Sequence, residues 1–276
     1  MPHPALSLGR VAVITGGASG IGLAAAQAFV ARGMKVVLAD LGADRLAQAR
    51  DSIGGDVLAV ETDVSRLDDL AALEQAVTAR YGVPDVLMNN AGIGPESAIT
   101  GPLDPWTRII AVNLWGVING TRAFLPAMQG ARKPGLIINT GSKQGITTPP
   151  GNPAYNIAKA GVKVFTEALE HDLRNLAGPR LSAHLLIPGF VFTGLTAGSA
   201  TEKPPAAWTP DQTVAFMIES LDRGDFYILC PDNDVPRALD EKRIAWAAGD
   251  IIENRPPLSR WHPDHAEAFK AYAVPK

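Results

Sequence analysis

The stretch Val11-Ala12-Val13-Ile14-Thr15-Gly16-Gly17-Ala18-Ser19-Gly20-Ile21-Gly22-Leu23-Ala24-Ala25-Ala26 decides the fold. Its first five residues form a short apolar, β-branched run that reads as a buried strand, and the alanine-rich run after Gly22 reads as a helix. The glycines between them let the backbone turn tightly and bring free N–H groups at a helix N-terminus against a pyrophosphate. Gly16, Ser19, Gly20 and Ile21 are therefore candidates for phosphate binding. The spacing G-x-x-x-G-x-G is not G-x-G-x-x-G, and it is not a Walker loop because no Gly-Lys-Ser/Thr follows. Taken alone, the segment also fits a tight strand-to-helix turn that binds nothing.

Outward from this unit the same alternation repeats. Apolar runs at 11–15, 35–40, 57–61, 86–89, 136–140, 181–187 and 226–229 give seven expected strands. Helical patterns such as 21–31, 67–81, 106–128 and 154–176 are each long enough for a right-handed crossover. Unbroken strand–helix alternation predicts an α/β fold: a doubly wound, parallel, seven-stranded sheet covered on both faces. One domain is expected over 1–235, with a helical, Pro-rich extension at 236–276 packed on it. Residues 193–209, rich in Gly, Ala, Thr and Pro, form the one long loop and are expected to act as a lid.

Bulk properties exclude several classes of function. A formal charge of −3, with no block of Lys or Arg, does not suit a phosphate backbone or an anionic membrane. Nucleic acid is not an expected partner. The single cysteine, Cys230, allows no intrachain disulfide, and charges interrupt each apolar run before membrane-spanning length. A start as short and polar as MPHPALSLGR does not read as a secretory signal, so a cytoplasmic location is expected.

Asp40 closes the second strand about 20 residues after the glycines, where a carboxylate accepts from the adenosine ribose hydroxyls and repels a 2′-phosphate. No Arg or Lys stands at 17–19 or 41–43, so NAD is expected over NADP. Asp40 as a simple turn cap is the alternative. Asp63 ends the third strand in the same way and could accept from an adenine amino group. Asn89-Asn90-Ala91-Gly92 closes the fourth with small residues that permit close backbone approach.

Tyr155 and Lys159 stand four apart on an expected helix, so their side chains share one face. An adjacent ammonium favours a phenolate, which makes the pair a proton donor and acceptor for a carbonyl oxygen. Ser142, just past the fifth strand, could hydrogen-bond the same oxygen. A solvated helix face and an ordinary turn serine are the alternatives for these residues individually.

The ordered set resembles the short-chain dehydrogenase/reductase family, in the branch with a T-G-x-x-x-G-x-G loop. The resemblance rests on Thr15 to Gly22, Asp40, Asp63-Val64, Asn89 to Gly92, Asn113, Ser142, Tyr155 with Lys159, and Pro188-Gly189 followed by Thr193, over about residues 9–195. It implies a Rossmann-type fold and NAD-dependent interconversion of a secondary alcohol and ketone by direct hydride transfer, without a metal. It further implies Tyr155 as general acid/base, Lys159 on the nicotinamide ribose, Ser142 orienting the substrate oxygen, and Asn113 anchoring a proton-relay water. Asp63 and Val64 would contact adenine, Asn90 and Gly92 the adenosine ribose, and Pro188, Val191 and Thr193 the carboxamide region. Homodimers or homotetramers, built on helices that begin near Pro105 and Ala154, are the implied assemblies.

After Thr193 the chain departs from the family's usual glycine-rich ending. Trp246 and Trp261 in a polar tail imply that the tail docks on the body or on a neighbouring subunit. His262 and His265 lack a third clustered ligand. The expected substrate pocket comprises Ile93, Gln144, Ile146, Phe190, Phe192 and Trp208, with Pro149 and Pro150, and suits an apolar or aromatic small-molecule alcohol. Lys143 is expected to be solvated; an inward Lys143 would instead serve an anionic substrate. An epimerase or dehydratase that retains its NAD, and a non-catalytic NAD-sensing protein, are the competing functions.

Overall fold

Successive residues of β1 (Val11–Thr15) point to opposite faces of the sheet, and both sets are apolar and buried. Ala12 and Ile14 enter one core, while Val11 and Val13 enter another. A strand buried on both sides requires helices on both faces. The computed structural model describes residues 2–176 and 181–273; residues 1 and 177–180 of the expected main domain, and 274–276 of the expected extension, lie outside the described residues.

Along the chain follow α1 (Gly20–Val30), β2 (Lys35–Asp40), α2 (Ala43–Ile53), β3 (Val57–Glu61), α3 (Leu67–Tyr81), β4 (Val86–Asn89) and α4 (Leu103–Ile110). Then come α5 (Gly116–Gly130), β5 (Gly135–Thr140), α6 (Gln144–Thr147), α7 (Pro153–Arg174), β6 (Leu181–Ile187), α8 (Pro210–Arg223), β7 (Tyr227–Leu229), α9 (Arg237–Ile252) and α10 (Ala266–Ala273). The seven strands pair parallel throughout, in the order β3-β2-β1-β4-β5-β6-β7. Phe29 of α1, Leu46 of α2 and Met217 of α8 cover one face. Leu73 of α3, Phe124 of α5 and Leu169 of α7 cover the other. Strand order reverses between β1 and β4, and the carboxyl ends of these two strands open the crevice in which such sheets bind ligands.

The helix expected over 106–128 is interrupted. Between α4 and α5 lies a π-helical turn, Ala111–Trp115, in which the fully buried Asn113 binds the loop after β4 from both ends of its amide. Its Oδ1 accepts from the Ile93 N–H at 2.8 Å, and its Nδ2 donates to the Ile93 carbonyl at 2.8 Å. A widened turn of this kind re-aims one side chain without ending the helix, and apolar periodicity carries no sign of it.

The C-terminal segment packs around Trp246, which lies between Phe269 and Tyr272 at ring separations of 5.4 and 5.2 Å, with the Arg255 guanidinium 4.1 Å over its ring. Its indole N–H donates to Ser259 Oγ at 2.7 Å. Ile244 of α9 packs against the core cluster that contains Leu185, Ile187 and Leu229 of the sheet, so α9 is docked on the body. Trp261 remains 38% exposed and stacks on Arg260. No described helix is long and apolar enough to cross a membrane.

Candidate active site

A cleft of about 820 Å³ opens over the carboxyl ends of the central strands. Its floor is the Thr15–Gly22 loop, whose shape depends on missing side chains. Gly16 has φ +65°, and a Cβ there would meet Ala91 Cα at 2.8 Å; at Gly22 a Cβ would lie 2.1 Å from the Gly16 carbonyl oxygen. Thr15 Oγ1 accepts from the N–H groups of Asn90 and Ala91, and Asn90 Nδ2 returns bonds to the carbonyls of Thr15 and Gly16. The ends of β1 and β4 are thus locked together. The N-terminus of α1 has no side-chain cap, which leaves backbone donors beside Ser19, Gly20 and Ile21 in the cleft wall. A pyrophosphate fits this cradle.

At one end of the cleft Asp40 accepts from the backbone N–H groups of Ala18 (3.0 Å) and Leu41 (2.8 Å). It also pairs with Arg45 at 2.9 Å, from the first turn of α2. Arg45 lies outside the 17–19 and 41–43 windows of the sequence reading and lines the cleft, so part of the charge of Asp40 is already neutralised. Asp63 and Val64 line the same end, with Asp63 Oδ1 accepting from the Ser65 N–H and hydroxyl. A carboxylate has about four lone-pair sites, so both acids keep room for a ligand hydroxyl or amine.

Across the cleft stand Ser142, Tyr155 and Lys159. Lys159, from α7, is buried and donates to the Thr140 carbonyl at 2.7 Å; burial holds its pKa down at about 8. Its ammonium lies 5.8 Å from the centre of the Tyr155 ring. Burial raises the Tyr155 pKa, and a side-chain hydrogen bond with Ser142 acts in the opposite direction. The Lys159 ammonium, placed by its spacing to favour a phenolate, is directed instead to the end of β5, and desolvation is the largest influence on the Tyr155 hydroxyl. Ser142 Oγ also accepts from the Gln144 N–H at 3.1 Å.

Of the residues expected to hold the cofactor, Gly16, Ser19, Gly20, Ile21, Asp40, Asp63, Val64, Asn90, Gly92, Pro188, Val191 and Thr193 line the cleft. Asn113 stands behind it, bound to Ile93. Of the expected substrate pocket, Ile93, Gln144 and Phe190 line the cleft. Ile146, Phe192 and Trp208 do not. Ile146 packs into the sheet core beside Val162 and Leu185. Trp208 turns toward Phe216, 5.9 Å away edge to face, and its backbone forms an isolated bridge with Val191: the Phe192 N–H donates to the Trp208 carbonyl and the Trp208 N–H to the Phe190 carbonyl. Leu195 and Gly94 line the cleft instead, residues that no periodicity signals.

Lys143 is a further correction. It is not solvated: its side chain is 17% exposed, and Nζ lies 2.6 Å from Asp240 and 3.3 Å from Asp232. Two carboxylates remote in sequence hold it, so local sequence could not reveal its environment. His262 and His265 stack at 5.8 Å, and among the described residues no group of three His, Cys, Asp or Glu is arranged to hold a metal.

Comparison with known proteins agrees with this geometry. The short chain dehydrogenase family model matches residues 10–204. The 2-(R)-hydroxypropyl-CoM dehydrogenase of Xanthobacter autotrophicus is 36% identical over 199 residues, 68% of this chain and 77% of that protein. The cis-4-hydroxycyclohexanecarboxylate dehydrogenase of Sinomonas cyclohexanicum is 38% identical over 193 residues, 68% of this chain and 76% of that protein. Among solved structures, a short chain dehydrogenase/reductase of Burkholderia phymatum in complex with NAD superposes with a TM-score of 0.82 at 32% identity, covering 91% of this chain and 96% of that one. The chain belongs to the short chain dehydrogenase family, and it is an oxidoreductase of that family.

Proposed function

We infer that the protein oxidises a secondary alcohol to a ketone, or the reverse, with NAD. The observation that carries this reading is the meeting of Ser142, Tyr155 and Lys159 in one cleft with the glycine cradle and Asp40. The bound nicotinamide would accept the hydride from the carbinol carbon. Ser142 orients the substrate oxygen; in oxidation Tyr155 as the phenolate takes the carbinol proton, and in reduction Tyr155 as the phenol returns it. Lys159 has three N–H donors, of which Thr140 takes one, and it holds the ribose beside Tyr155. Asn113 fixes the Gly92-Ile93 backbone through its paired bonds to Ile93. The names of the two dehydrogenase relatives each describe a secondary alcohol. Ile93, Phe190 and Leu195 give the substrate end an apolar wall, which favours a hydrocarbon chain or ring around the carbinol.

The preference for NAD rests on Asp40 and is moderated by Arg45. Removing Asp40 deletes the repulsion of a 2′-phosphate and frees the Arg45 guanidinium to bind one. Asp40→Ala is therefore expected to shift the ratio of kcat/KM for NAD over NADP by about 10–100-fold toward NADP, each tenfold step being about 1.4 kcal/mol. Asp40→Ala with Arg45→Ala is expected to shift it less. An unchanged ratio in steady-state assays with both cofactors would take Asp40 out of this role.

A further inference from the structure

The cleft has a buried charge network at its substrate end that the reaction does not consume. Lys143 directly follows Ser142 and reaches from the cleft wall to two buried carboxylates, Asp232 after β7 and Asp240 on α9, whose side chains are 6% and 5% exposed. Asp232 Oδ2 also accepts from the Phe190 N–H at 3.2 Å. The Lys143 N–H reaches the Pro188 carbonyl at 3.4 Å. Gly189 lies flat over the pair: a Cβ there would come within 2.6 Å of the Asp232 carboxylate and 2.8 Å of Lys143 Nζ. One ammonium thus ties together the loop that carries Ser142, the Pro188–Phe190 turn and α9. Arg243 adds a longer contact to Asp240 at 3.9 Å, and α9 is fixed from behind by Ile244.

We propose that Asp240 and Lys143 are positioning residues, through which the C-terminal extension holds Ser142 against Tyr155 and holds the Pro188–Phe190 turn in register with it. The inference rests on the roles given above to Ser142 and Tyr155. Its physical basis is that a buried charge deprived of its partner draws in water, so losing either end of the pair loosens the backbone that carries it. Misplacement of a reacting group by about 1 Å costs up to about 10²-fold in rate. The glycine cradle and Asp40 lie around β1, α1 and β2, away from this network, so pyrophosphate and adenosine binding are separable from it, whereas the Pro188–Phe190 turn borders the nicotinamide end of the cleft.

The test uses the full-length protein with NADH bound, in four forms: wild type, Asp240→Asn, Lys143→Met and Lys143→Arg. Amide hydrogen exchange at 141–146 and 189–190 is expected to rise in Asp240→Asn and Lys143→Met and to stay near wild type in Lys143→Arg, with exchange at 16–22 unchanged in all. In parallel, kcat for the alcohol is expected to fall about 10-fold or more in the first two variants. NADH dissociation constants, measured by fluorescence titration, should rise by much less than kcat falls, because the glycine cradle and Asp40 are untouched, and Lys143→Arg should recover much of the rate. Unchanged exchange at 141–146 overturns the proposal whatever the activity, and so does raised exchange with wild-type kcat. A wild-type protein that oxidises no alcohol overturns the functional reading instead, while the exchange data still decide whether Asp240 holds the Ser142 loop.

Discussion

Tyr155→Phe is expected to lower kcat for alcohol oxidation by about 10²–10⁴-fold, the range associated with loss of a positioned general acid or base. NADH should still bind with nearly wild-type affinity. The separation follows from the packing: the Tyr155 ring lies against Ile109, Ala154 and Ala158, and phenylalanine fills the same space. Only the hydroxyl bonded to Ser142 is lost. Stopped-flow turnover beside a fluorescence titration of NADH measures both quantities. Retained turnover in this variant would remove the tyrosine from the chemistry.

The second large effect concerns stability as well as rate. Lys159 is buried with a pKa near 8, below the ordinary 10.5 of a lysine, because burial disfavours its ammonium. Below about pH 8 the side chain is protonated in both folded and unfolded protein, so the full cost of burying the charge is present. As pH rises from about 8 to 10.5, the folded protein releases the proton while the unfolded chain keeps it, and stability rises. The pKa difference corresponds to a cost on the order of 3 kcal/mol at neutral pH. Lys159→Met removes this cost and leaves the Thr140 carbonyl without its donor, a loss of about 1 kcal/mol. The ligand-free variant is therefore expected to unfold a few degrees higher than wild type at pH 7, with the gap closing toward pH 10, while its turnover falls about 10²-fold or more. Thermal unfolding at the two pH values checks the sign; a variant that melts lower at pH 7 and shows no convergence contradicts it. A lysine that costs stability yet sits in the cleft is the pattern expected of a group kept for function.

The sheet was legible because each strand is a short apolar run closed by turn residues, and the strands at 11–15, 35–40, 57–61, 86–89 and 181–187 begin and end where the structure has them. The central cleft was legible because its parts lie at strand ends, where a residue's position along the chain fixes its position in space. Asp40 at the end of β2 and Asn90 just after β4 are examples. The substrate wall was not. Residues 190–209 leave the sheet as irregular chain, held by the bridge between Val191 and Trp208, the turn bonds between Thr193 and Thr196, and the bonds from Asn233 to the carbonyls of Pro205 and Ala207, none of which follows a sequence period. Lys143 was misread for a related reason: its partners come from the C-terminal part of the chain, Asp232 being 89 residues away. Arg45 was missed because one helical turn carries it back over Asp40 from beyond the strand end.

The most direct measurement is cofactor reduction by the purified protein with NAD or NADP, across aromatic, alicyclic, steroidal, polyol and carboxylate-bearing secondary alcohols. NADH is expected to form from alcohols with an apolar chain or ring, faster with NAD than with NADP, and not to form at a comparable rate in Tyr155→Phe. Reduction of neither cofactor by any secondary alcohol, with NADH still binding in titration, would contradict the proposed function.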